Sequence, residues 1–406
     1  MRFAKRARIA SCVLLAVGLL ASACSSGSTA SNSAAGNDTG DRTASDVGVT
    51  GDTITIGTHM PMTGPVAPSG LTMVPAFQAY VSYTNENGGI NGRKLVLKVE
   101  DNAYNPAKTL SVVRKLVEQD KVFLIFDGFG TPPVQAAFNY LTEQKVPDVN
   151  MYTGTPQFVE PPQKYHFELL PSYKQEAAVH ADYIKQTYPG AKVALLYQHD
   201  DFGQAYADVI KSSLGASLIA EQTYEATDPD VMSQVTTLSK SGATVAMCVC
   251  IVPPAVQFIK DAHNLGWKPH LQFEYGILNA QTVPLVGKDL IENAVSDTYV
   301  PPAADTSDPQ LSKMKEILAR YAPDTQFNDN SLFGLISIDL MVQMLKSAGA
   351  NPTRESFLDA ITSNTYKGLW YGEVKMSASN HNALSCRKMT RMVDGVVTPF
   401  GEVICG

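Results

Sequence analysis

Residues 193–251 read VALLYQHDDFGQAYADVIKSSLGASLIAEQTYEATDPDVMSQVTTLSKSGATVAMCVCI. Val193 to Tyr197 is an apolar run ending in polar turn residues, which predicts a buried strand. A helix is expected over Gly203 to Leu214, a strand over Ser217 to Tyr224 and a helix over Val231 to Ser241. Val245 to Ile251 is the third strand of the stretch. Strands and helices alternating at this pitch imply right-handed crossovers and a parallel sheet.

The alternation extends in both directions. Downstream come a helix over Pro254–Leu265 and a strand over Leu271–Phe273; upstream a helix runs to Tyr188. A first round begins at Ile54 and Ile56, continues through a helix carrying Val74, Phe77, Tyr80, Val81 and Thr84 on one face, and stops at Gly88-Gly89. Leu95–Val99 and Val122–Phe126 are its next strands, with helices carrying Leu110, Val113, Leu116 and Val117, and over Val134–Gln144. The fold class is therefore α/β, two Rossmann-like lobes with parallel sheets. Pro171 and Pro301-Pro302 break the pattern near 169 and 300, where lobe boundaries are expected.

Composition narrows the function. The 406 residues are 44% apolar, ordinary for a globular chain, and a net charge of -7 argues against a nucleic-acid partner. Arg2, Lys5, Arg6 and Arg8 precede the apolar run Ile9–Ala23, the pattern of a secretory signal over residues 1–23. Fifteen helical residues rise only about 22 Å, short of the roughly 30 Å hydrocarbon core, so a permanent span is disfavoured. The run closes Leu20-Ala21-Ser22-Ala23-Cys24, which resembles a bacterial lipobox with Cys24 as the lipidated residue, although Leu20 stands four positions before it. Of residues 25–48, 22 are Ser, Thr, Gly, Ala, Asn or Asp, so residues 24–50 read as a flexible tether from a membrane lipid to the folded body.

Four cysteines remain in an oxidising compartment. Cys386 and Cys405 flank a hairpin-like C-terminal stretch and are expected to be bridged. Cys248 and Cys250 lie in an apolar strand and are expected as separate buried thiols, on the premise that they point to opposite faces. Neither a histidine nor a second cysteine pair stands at ligand spacing, so no metal is expected.

No Gly-x-Ser-x-Gly elbow, Walker loop or His-Glu-x-x-His occurs, and the seven histidines are scattered, so an enzyme and a cofactor are not expected. His199-Asp200-Asp201 reads as a strand-end turn in preference to an acid–base or metal cluster.

Ile54-Thr55-Ile56-Gly57, Pro61-Met62-Thr63-Gly64-Pro65, Asn87 through Lys94, Glu100-Asp101-Asn102 and Asn105-Pro106-Ala107-Lys108 together resemble the opening of the periplasmic binding proteins of the branched-chain amino acid (Leu/Ile/Val) type. His199 through Gly203 and Tyr371 through Met376 are similar to that family's aspartate–aromatic–glycine turn and closing hairpin. The resemblance spans about residues 50–406. It implies a type I fold with two lobes joined by three crossovers: 51–168 plus 300–364 as lobe 1, and 169–299 plus 365–406 as lobe 2. It also implies a monomeric solute receptor of an ABC importer, handing an amino acid or related amide or carboxylate to a membrane permease. The cell envelope, on the extracytoplasmic face of the membrane, is its expected place. A lipoprotein that senses a ligand and signals without transport shares fold and cleft, and stays open.

Ligands of open α/β sheets sit off the carboxyl ends of the strands. Asp127-Gly128-Phe129-Gly130-Thr131 lies between a strand and a helix, so its N–H groups and the helix dipole are able to hold a carboxylate. The resemblance places Gly130 and Thr131 where the family draws carboxylate donors from a serine-rich loop, most of whose hydroxyls are missing here. It also implies ligand contacts from Tyr152 and Thr153, an opening at Ser69 where an aromatic cover is common, and a lid at Phe202. Glu274 and Tyr275 lie beyond the last strand of the second round, and a carboxylate there can pair with a ligand ammonium. Trp267 and Trp370 read as core.

Overall fold

The computed structural model describes residues 42–228, 230–305 and 308–406. The first sheet is built from β1 (Thr53–Met60), β2 (Lys94–Asp101), β3 (Ile125–Phe126), β4 (Asp148–Met151) and β5 (His166–Glu168), in the order β2-β1-β3-β4-β5. Every pairing in it is parallel. Helices α1 (Ala67–Glu86), α2 (Pro106–Glu118) and α3 (Thr131–Glu143) form the crossovers.

After α4 (Tyr173–Thr187) a second sheet begins, through β6 (Val193–Gln198), α5 (Asp201–Leu214), β7 (Leu218–Tyr224), α6 (Met232–Ser239) and β8 (Val245–Val249). It continues with α7 (Val252–Asn264), β9 (His270–Phe273), α8 (Val283–Val286) and β10 (Val295–Thr298). All six residues of β6 are buried, as a parallel strand covered on both faces requires.

The chain then returns to the first lobe through α9 (Pro309–Tyr321), α10 (Asp329–Ser347) and α11 (Arg354–Ser363). Helix α10 is apolar on nearly every side and packs against α1. Ser337 Oγ donates to the buried Asp127 Oδ2 at 3.3 Å, and the Tyr80 hydroxyl donates to the Asp339 carboxylate. A short pair, β11 (Thr365–Tyr366) and β12 (Val374–Lys375), leads to β13 (Cys386–Val393) and β14 (Val396–Cys405). These last strands extend the second sheet antiparallel, to the order β14-β13-β10-β9-β8-β6-β7.

The passages between lobes are stitched together. Glu168 N donates to His381 O at 3.0 Å, Ala383 N donates to Glu168 O at 2.8 Å, and Asn382 Nδ2 donates to Leu170 O at 2.7 Å. Burial pushes the Glu168 carboxyl well above the usual carboxylate range.

Two expectations are corrected. Cys248 and Cys250 are bridged to each other, not separate thiols: side chains two apart on a strand share a face, so the premise of opposite faces fails. Cys386 and Cys405 are bridged as expected, across opposed positions of β13 and β14. The folded body also begins before residue 51. Thr43 N donates to Asn351 Oδ1 at 3.0 Å, Ser45 Oγ donates to Pro352 O at 2.7 Å, and Val49 is buried, so the stretch 43–50 is docked. The signal over 1–23, the lipidation at Cys24 and the tether up to residue 41 lie outside the described residues. Among the described residues no helix is long and apolar enough to cross a membrane.

Candidate functional site: a cavity between the lobes

The loops after β3 and β4 continue the sheet beyond its regular strands. Gly130 N donates to Tyr152 O at 3.2 Å, Tyr152 N donates to Gly128 O at 2.9 Å, and the Phe129 and Tyr152 rings stack with centroids 4.5 Å apart. Gly130 has φ 94, and a Cβ there would run into the Tyr104 ring, so the position requires glycine. Tyr104 is itself left-handed (φ 55), held by its N–H on Asn102 Oδ1 at 2.8 Å. These loops bring Tyr104, Phe129 and Tyr152 to one wall of a cavity of about 670 Å³, open mouth included.

The polar groups of this wall are turned on one another. Thr131 Oγ1 lies 2.7 Å from Thr153 Oγ1 and 3.0 Å from Thr155 Oγ1, and Thr153 and Thr155 are themselves 3.1 Å apart. At the start of α3, Pro132 and Pro133 have no N–H, while the N–H groups of Gly130 and Val134 go to Tyr152 O and Gly130 O. Only the Thr131 N–H is left to face a ligand.

The opposite wall comes from the second lobe. Asp200 caps α5, its Oδ1 accepting from Phe202 N at 3.0 Å and Gly203 N at 3.2 Å, which turns Phe202 into a cluster with Tyr173 and Tyr206. The turn reading of His199-Asp200-Asp201 is thus what the chain adopts. Glu274 and Tyr275 follow β9, with the Tyr275 ring 4.1 Å from that of Tyr299. Tyr275 N donates to Glu176 Oε1 at 2.9 Å.

Glu274 is a lining residue only 8% exposed, and its carboxyl has no hydrogen bond from any described residue. Burial, then the carboxylates of Glu176 and Asp297, raise it well above the usual range. Glu176, His180 and Asp297 cluster tightly enough to suggest a metal. Arg387, however, stands 3.3 Å from both carboxylates, so the cation between them is the protein's own. Behind Glu274 there is an internally paired network; Glu274 stands outside it.

Ser69, Gly130, Thr131, Tyr152, Phe202, Glu274 and Tyr275 all line this one cavity. Thr153 is fully buried one layer behind, completing the hydroxyl triangle. Sequence reading missed Tyr104, Phe129, Tyr173, Tyr299 and Asn330. A shared signal marks four of them: Tyr104, Phe129 and Tyr299 follow strand ends, and Tyr173 opens a helix. A second, apolar cavity bounded by Pro65, Pro68, Val256 and Leu285 adjoins the first and shares Val66, Ser69 and Val252 with it. The small Ser69 side chain stands on this common boundary. Trp267 is tied to Ala243 O at 3.0 Å and Trp370 packs on Phe333, both away from the lining.

Side-chain amides bridge the lobes at the cavity, Asn330 Nδ2 donating to Gln281 Oε1 at 2.7 Å among them. Gln198 Nε2 donates to the Tyr104 hydroxyl at 3.4 Å, Gln157 Nε2 to Asp201 Oδ2 at 2.7 Å, and Gln281 Nε2 to Thr72 Oγ1 at 3.3 Å. The sequence profile of the periplasmic binding proteins matches residues 53–396.

The chain belongs to the periplasmic binding protein family.

Among curated relatives, the Leu/Ile/Val-binding protein homolog 1 of Brucella abortus (strain 2308) is 24% identical over 307 residues, 74% of this chain and 80% of that protein. The fold of this binding protein matches that of a branched-chain amino acid ABC transporter protein from Thermus thermophilus, solved with bound valine. There the TM-score is 0.79 at 20% identity, over 87% of this chain and 96% of that one. A fatty acid ABC transporter substrate-binding protein from Thermomonospora curvata superposes with TM-score 0.80 at 21% identity, over 89% and 94%. The family comprises binding proteins, not enzymes, and implies an extracytoplasmic place of work.

Proposed function

We propose that this periplasmic binding protein is the lipid-anchored solute receptor of an ABC importer, capturing a small solute and presenting the closed form to a membrane permease. The observation that carries the reading is a cavity shared by both lobes and bridged by a few side-chain amide bonds, which ligand contacts across the gap can outweigh. In this reading 51–168 with 300–364 moves as one lobe against 169–299 with 365–406, and the protein acts as a monomer. Ser69, Gly130, Thr131 and Tyr152 shape the first-lobe side of the ligand site, with Thr153 supporting them. Phe202 and Tyr275 cover the ligand body, and Glu274 meets its polar head. Cys24 carries the lipid, and the segment after it keeps the body near the permease.

The named ligands of the relatives, branched-chain amino acids and a fatty acid, support a solute of that size with an apolar body. The test is a thermal-shift screen across amino acids, amides, amines, aromatic acids and sugars. A ligand at 100 times its Kd stabilises the folded state by about 2.7 kcal/mol, read as a rise of a few degrees in Tm. A folded protein that responds to none of these classes removes the receptor reading.

A further inference from the structure

The charges around the cavity are lopsided. Among the described residues its lining contains no lysine, arginine or histidine. On the first-lobe wall the three threonine hydroxyls are bonded to one another, and two prolines leave the start of α3 a single free N–H. A carboxylate placed there meets neither a cation nor a set of donors, the partners that favour the ionised form of a buried carboxyl. On the second-lobe wall Glu274 is buried, part of the lining and unbonded, with Glu176 and Asp297 adding negative potential behind it. Arg387 and His180 are occupied by those two carboxylates, so no cation among the described residues pairs with Glu274. Seven of the lining residues are aromatic, and the faces of such rings attract a desolvated cation.

We infer that the solute is a small organic amine with an apolar body and no carboxylate, its ammonium paired with Glu274 and enclosed by the aromatic walls. This deepens the receptor reading and rests on it. Tyr152 and Tyr275 belong to the same lining, and a tyrosine hydroxyl oxygen is able to accept an ammonium N–H. An amino acid of the same body would bring a carboxylate into a wall that has already satisfied its own hydroxyls.

Matched series test this on the full chain by calorimetric titration: isoamylamine against leucine and isoamyl alcohol, and phenethylamine against phenylalanine and 2-phenylethanol. At least one amine is expected to bind about tenfold or more tighter than both of its partners, the size of a charge-assisted hydrogen bond. Glu274→Gln is expected to lose about tenfold or more of that affinity. Glu274→Asp, which keeps the charge but withdraws it by one methylene, should fall between them, and it serves should the glutamine variant not fold. Leucine or phenylalanine binding as well as its amine overturns the inference and leaves the receptor reading standing. An alcohol matching its amine, with Glu274→Gln indifferent, does the same. Failure of every compound here, and of every class in the thermal screen, overturns both.

Discussion

On the first-lobe wall of the cavity, Thr131, Thr153 and Thr155 bond to one another and prolines occupy the helix start; on the second-lobe wall, Glu274 is buried with its carboxyl unbonded. By residue type the first wall looks the better equipped for a polar ligand, having hydroxyls and a helix N-terminus. By availability it is the poorer. Binding capacity is set by the donors and acceptors left over after the protein has satisfied itself, and the internally paired wall mainly provides shape. The second wall achieves the opposite by confining its pairing to a layer behind the surface, where Arg387 faces Glu176 and Asp297.

The largest effect expected from disturbing this contrast comes from that hidden layer. Arg387→Met leaves two buried carboxylates without their cation and should destabilise the protein by about 3–5 kcal/mol in denaturant unfolding. A loss below about 1 kcal/mol, the range of exposed pairs, would mean the second wall does not depend on internal pairing.

On the first wall the corresponding weak point is backbone shape. Gly130→Ala forces a side chain into a φ 94 conformation against the Tyr104 ring and should cost about 1–3 kcal/mol of stability. It should weaken ligand binding too, because Tyr104 must move; unchanged melting and unchanged affinity together would show that the loop is not fixed.

Smaller again is a pH effect. Burial, then the Asp297 carboxylate, lifts Glu176 from 4.5 to about 7. A carboxyl with a raised folded-state pKa holds its proton more tightly folded than unfolded. Its contribution is therefore full below about 4.5 and is lost as pH rises through about 7. Wild type should lose stability relative to Glu176→Gln across that window, read by urea unfolding at a series of pH values. Parallel pH curves for the two proteins would place the titration elsewhere.

The smallest effect sharpens the comparison most. Thr131→Val removes one corner of the hydroxyl triangle and should cost about 1 kcal/mol of stability, leaving ligand affinity within about twofold. A tenfold loss of affinity with stability intact would make this wall an anion clamp after all.

The fold was legible because a covered parallel strand and an amphipathic helix each carry a local pattern: β6, β8 and the face of α2 are visible in a dozen residues or fewer. Helix α10 is apolar all round and β5 is only three residues long, so neither has a periodicity to read. Ser69, Gly130, Tyr152 and Phe202 were recoverable through a family likeness, and Glu274 and Tyr275 because they follow a strand. Tyr104, Tyr173 and Tyr299 were missed: each stands at a strand end or helix start, but singly each looks like a core tyrosine, and only the closed sheets bring them together. The partnership of Arg387 with Glu176 spans more than two hundred residues and leaves no local trace. At Cys248 and Cys250 the failure was one of reasoning, because strand alternation, correctly applied, puts the two sulfurs on one side.

The strands crossing near Glu168 and Ala383 carry a mechanical consequence. They are joined backbone to backbone, and Asn382 is tied to Leu170 as well. Sliding one crossing past the other would break several of these bonds at once, whereas a small bend leaves all of them in place. The joint therefore behaves as a leaf spring: stiff in shear, compliant in flexure. In the proposed receptor reading, opening and closing then reduce to a single angle, and a permease sensing that angle would need no contact with the solute to know whether the cavity is filled.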